Sequence, residues 1–128
     1  MNGWMNVGLT AFLLVMLVSL GRPALAAAPD VKEAKKQSSE MVMHARETVE
    51  HGNAAHPDVM TKHAKAMIAA AQKTLDNIPP GNMHGETAAG HIKTAIEKAK
   101  ALIEEQSVDL AEQALNHATE GDQHIQQM

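Results

Sequence analysis

Small and apolar residues recur along this chain at alternating steps of three and four, the spacing that lays one stripe along an α-helix. Four such stripes follow one another. Val31, Ala34, Ser38, Met41, Ala45 and Thr48 form the first, which opens at Asp30 and ends near Gly52-Asn53, where a turn is expected. The second, Met60, Ala64, Met67 or Ile68, Ala71 and Leu75, begins at Pro57, a residue suited to a first helical turn. It runs to about Asn77, where Ile78-Pro79-Pro80-Gly81-Asn82 stops it. Ala88, Ile92, Ala95, Ala99 and Leu102 predict a third helix from about Met83 to Glu105. Val108, Ala111, Leu115, Ala118 and Ile125 predict a fourth behind a Ser107 cap, with Gly121 as a weak point. Strand periodicity is missing throughout. Four amphipathic helices on short connections predict an all-α fold, an antiparallel up-down-up-down four-helix bundle occupying residues 27–128 as one domain.

Ahead of the bundle, Val7 to Leu20 is an apolar run followed by Gly21, Pro23 and Ala24-Leu25-Ala26-Ala27-Ala28. The run is shorter than the ~20 residues that a spanning helix needs, and Ala24-Leu25-Ala26 fits a small-residue cleavage site. Residues 1–26 are therefore expected to be a removed signal peptide, which places the mature protein in the periplasm or outside the cell. An uncleaved anchor is the competing reading, because no Lys or Arg precedes the apolar run and Arg22 lies beyond it.

Composition sharpens this picture in three ways. Trp4 and Phe12 are the only aromatic residues, so cleavage leaves a core built from Ala, Val, Ile, Leu and Met, which lets helices approach closely but buries little area per residue. Cysteine is absent, which rules out disulfides and thiolate metal sites. The formal charge of −4, made one unit more negative by losing Arg22, argues against nucleic acid and favours cations.

The eight histidines carry the most specific signal. They form four pairs at a spacing of seven: His44/His51, His56/His63, His84/His91 and His117/His124. Seven residues return to nearly the same helix face, about 20° short of two turns and roughly 10.5 Å along the axis. One ion is not easily gripped by both members of such a pair, so the partners must lie on the adjacent antiparallel helix. His51 then faces His56 and His44 faces His63, while His84 faces His124 and His91 faces His117. In each hairpin the two partnerships agree in register, as two rungs of one ladder must. Two histidine clusters are expected, one at each end of the bundle. Glu40 and Glu47 precede His44 and His51 by four residues, a spacing that sets each carboxylate beside its histidine as an oxygen ligand, an outer hydrogen-bond acceptor or a helix-stabilising partner.

Helices one and four share a pattern, Glu40-x-x-x-His44-Ala45-x-Glu47-x-x-x-His51 against Gln113-x-x-x-His117-Ala118-x-Glu120-x-x-x-His124, which points to an internal repeat. These heptads, with His51-Gly52 and the Gly81-Asn82-x-His84 segment, resemble the small metal-binding protein family over most of the mature chain. The resemblance implies an exported four-helix bundle that binds several divalent metals with a leaning towards copper and buffers or scavenges them. It makes His44, His51, His56, His63, His84, His91, His117 and His124 the candidate ligands. This chain departs from the pattern in having fewer histidines, with Ala66 and Lys98 on turns where the family often repeats them.

Imidazole and carboxylate without thiolate follow the affinity order that peaks at copper, so Cu(II) is expected first, with Ni(II) and Zn(II) behind it. Met41, Met43, Met60 and Met83 lie within a turn or so of histidines; at helical spacing they read foremost as core filling, with extension of a site towards Cu(I) as the alternative. No Glu-x-x-His, His-Glu-x-x-His or activated nucleophile is present, so the chain does not read as an enzyme. The expected partners are metal ions, with no nucleic acid, no membrane once the signal is cleaved, and a monomer. Two other functions fit the pattern less well: a metal-independent exported adaptor or chaperone, and a b-type haem protein ligated by Met and His, for which the aromatic pocket lining is missing.

Overall fold

A computed structural model describes residues 28–128, which form four helices: α1 Val31–Asn53, α2 Pro57–Asp76, α3 Met83–Glu105 and α4 Val108–Gln126. No strand occurs among the described residues. The signal-peptide reading of residues 1–26 lies outside them. Each helix packs on its sequence neighbour and α4 closes back on α1, so the architecture is the antiparallel up-down-up-down bundle that the four stripes imply. None of the described helices is long and apolar enough to cross a membrane.

Local chemistry sets the helix ends. The Asp30 carboxylate accepts from the backbone N–H of Lys32 and Glu33, Asn82 accepts from Gly85, and Ser107 accepts from Leu110. His56 occupies the corresponding position before α2, but its side chain makes no capping hydrogen bond and Pro57 supplies the start instead. The chain does not turn at Gly52-Asn53. Both residues stay helical and the reversal falls at Ala54-Ala55, with Ala55 at a φ of 56°. Gly52 serves packing there, since a β-carbon on it would lie 2.9 Å from the Met60 sulfur and 3.1 Å from Val108 Cγ2.

The core is made of small residues. Fourteen of its positions are alanines or the methionines Met41, Met60 and Met67, joined by Ile92, Leu102 and Ile125 as the larger fully buried side chains. Met41 and Met60 are thus core filling, whereas Met43 and Met83 are exposed. The buried threonines Thr48 and Thr74 satisfy their hydroxyls by donating to the carbonyls of His44 and Ala70, one turn back. Ser38, also buried, donates to the Asp122 carboxylate at 2.7 Å and ties α1 to α4. Leu75, Leu115 and Val108 from the expected stripes are only partly buried, while Gln37, Ala70 and Ala114 take buried places, because each helix contacts two neighbours and its apolar face is wider than one seam. Gly121 is one of these contact points: a β-carbon there would come within 2.8 Å of Ile92 Cγ1, so its small size lets α4 approach α3.

Candidate metal centres

The helices deliver the histidines as two ladders. Near the α1–α2 turn, the rings of His44 and His63 lie 5.6 Å apart and those of His51 and His56 lie 5.8 Å apart, centroid to centroid. At the end where α3 begins and α4 finishes, His91 and His117 lie 6.0 Å apart and His84 and His124 lie 5.9 Å apart. All eight side chains therefore meet the partners that the seven-residue spacing assigns them, and the two clusters occupy opposite ends of the bundle. A backbone hydrogen bond from the His56 N–H to the His51 carbonyl, 2.9 Å long, fixes the outermost rung of the first ladder.

The inner rung of each ladder includes a carboxylate. In the first, Glu47 Oε2 lies 2.6 Å from His63 Nδ1 and 3.3 Å from His44 Nδ1, and the two nitrogens are 3.3 Å apart. The two 3.3 Å edges equal the spacing of ligand atoms around one small cation, since tetrahedral bonds of 2.0–2.1 Å set donor atoms about 3.3 Å apart, while the 2.6 Å edge has the length of a short hydrogen bond. In the neutral tautomers a single Nδ1–H, such as that of His63, can donate to Glu47 Oε2 while the other Nδ1 keeps its lone pair. A divalent ion satisfies all three donors at once. In the second ladder Glu120 Oε2 lies 2.8 Å from His91 Nδ1 and 3.9 Å from His117 Nδ1, a more open group of the same composition. Here Nδ1 of both His117 and His124 is shielded from solvent and has no hydrogen-bond partner among the described residues, which leaves both lone pairs free to ligate.

Glu47 takes its place differently from the four-residue expectation. It reaches across the hairpin to His63 and one turn back to His44, and not forward to His51. Glu40 forms no ion pair or hydrogen bond among the described residues and lies outside both His–Glu groups. Glu120 is not among the ligands expected from the sequence, although it stands four residues before His124, the same offset that picked out Glu47. The internal repeat gives a second signal, aligning Glu120 with Glu47 and His117 with His44.

The side chains of the inner rungs are partly open, from 20 % exposed at His63 to 53 % at Glu120, so an ion can reach them from solvent without the bundle opening. Three protein donors leave at least one coordination position for water or an exchanging ligand.

Comparison with known proteins gives one finding. The model of a family described as small metal-binding protein matches residues 5–128. A search of curated proteins returned no match.

Proposed function

The chain belongs to the small metal-binding protein family, and from that membership we propose that it is an exported carrier, buffer or scavenger of divalent transition metals, copper ahead of nickel and zinc, with no catalytic activity of its own. The observation that carries the reading is the His44–Glu47–His63 triangle, which gathers two imidazole nitrogens and a carboxylate oxygen within 3.3 Å of one another, close enough to ligate a single ion. Its His–Glu counterpart at the far end supports a second, independent site. Copper leads because imidazole and carboxylate donors hold divalent first-row ions in an order that peaks there. The half-exposed sites suit loading and release. Export rests on the apolar run and small-residue site ahead of residue 27, and N-terminal sequencing of protein recovered from the extracytoplasmic fraction tests it.

Calorimetric titration of Cu(II), Ni(II) and Zn(II) into the purified protein tests the metal reading. Saturable binding near pH 7.5 that weakens below about pH 6 is expected, because imidazolium cannot ligate. Changing His44 and His63 to Gln should remove the tight stoichiometry of one end and leave the other intact. A protein that takes up none of the three ions with saturable heat would not be a metal carrier, and its histidine ladders would then be inherited repeat spacing.

A further inference from the structure

Each cluster contains two rungs of unequal chemistry. The inner rungs have two imidazoles and a carboxylate, His44/His63 with Glu47 and His91/His117 with Glu120. The outer rungs, His51/His56 and His84/His124, have two imidazoles and no carboxylate in either group. Two neutral donors hold a divalent ion less firmly than two neutral donors and an anion, so the outer rung is the weaker one. It is also the more accessible: His56 and His84 are exposed, while the four inner histidines are half-buried.

The rungs are not isolated from each other. His51 lies against inner His63 with ring centroids 5.3 Å apart and planes within 4° of parallel, closer than it lies to its own partner His56. His124 lies against inner His91 at 5.9 Å and 8°, as near as it lies to His84. Imidazoles therefore continue without a gap from the surface to the carboxylate in both clusters, although the two hairpins enter this arrangement from opposite chain directions. We infer that each outer histidine pair is a transit site, passing a divalent ion imidazole by imidazole to and from the inner His–His–Glu site. An ion that exchanges one ligand for the next never stands bare, which avoids the large desolvation and resolvation steps of leaving a multidentate site all at once. Half-exposed rings reorient on picosecond to nanosecond timescales, fast enough not to limit such steps.

This inference rests on the metal-binding reading above and makes a separate claim, because a transit site speeds arrival and departure equally and leaves the inner affinity untouched. His56→Gln and His84→Gln test it in the full protein. Both residues are exposed, and His56 contributes no side-chain cap, so the bundle should keep its helicity. Cu(II) is loaded to one ion per inner site, and stopped flow follows its uptake and its transfer to a colorimetric chelator. The double variant should slow both directions roughly tenfold, the change made by about 1.4 kcal/mol of barrier, with the dissociation constant of the inner sites within about twofold of the unsubstituted protein. Unchanged rates would show direct exchange with solvent and overturn the relay. A weakened inner affinity would make the outer imidazoles ligands of the same ion, and overturn it too. Failure of the unsubstituted protein to bind Cu(II) would instead sink the metal-binding reading, and the relay with it.

Discussion

At the scale of single residues, the proposed metal sites make the two carboxylates the groups expected to decide how firmly each end would hold an ion. Glu47→Gln keeps the shape and removes the anionic donor, so affinity at the first end should fall by roughly 10–100-fold while the second end is unaffected. Glu120→Gln should do the reverse with a smaller loss, because Glu120 is more exposed and stands 3.9 Å from His117. Competitive titration against a chelator of known affinity measures both, and equal losses at the two ends would contradict the difference in their geometry. This is also where the sequence was least legible. Spacing along one helix shows which histidines share a face, and the agreement of register between pairs then fixes their partners. It does not show how far each helix is rotated towards its neighbour, and that rotation, with the side-chain rotamer, sends Glu47 across to His63 and leaves Glu40 unengaged. Glu120 was legible by the same four-residue offset, before His124, that picked out Glu47.

At the scale of the helices, the glycines divide by what surrounds them. Gly121 faces the buried, β-branched Ile92, so Gly121→Ala should destabilise the bundle by about 1–3 kcal/mol despite the better helix propensity of alanine. Gly90, on the preceding helix, has open space where a β-carbon would go, and Gly90→Ala should stabilise by roughly 0.5–1 kcal/mol. Chemical denaturation distinguishes the two, and a stabilising Gly121→Ala would mean that α4 does not depend on its close approach to α3. The sequence located all four helices to within a residue or two because Asp30, Pro57, Ile78-Pro79-Pro80 and Ser107 mark their ends chemically. Gly52 and Gly121 misled it for one reason: glycine is read from sequence as a break in the backbone, while here it makes room for a side chain from the next helix.

At the scale of the whole molecule, a core of alanines and methionines buries little area per residue, and bound metal should contribute a large share of the stability. An ion supplied at a hundred times its dissociation constant adds about 2.7 kcal/mol per site. For a domain of this size that corresponds to a rise in Tm of more than about 10 °C, which a chelator should reverse. Thermal melts followed by circular dichroism check this, and a Tm indifferent to metal would place the ligands outside the folding unit. Both ligand groups lie within a hairpin, α1 with α2 and α3 with α4, and neither draws a donor from across the seam between the two halves. The two ends are therefore expected to fill independently. Occupancy should then climb gradually with free metal, each end along its own hyperbola with a Hill coefficient of about one, and the difference between Glu47 and Glu120 should offset the two midpoints. A response of that form has no threshold. It suits a reservoir that smooths fluctuations over a broad range of concentration, and it is the opposite of what a sensor needs.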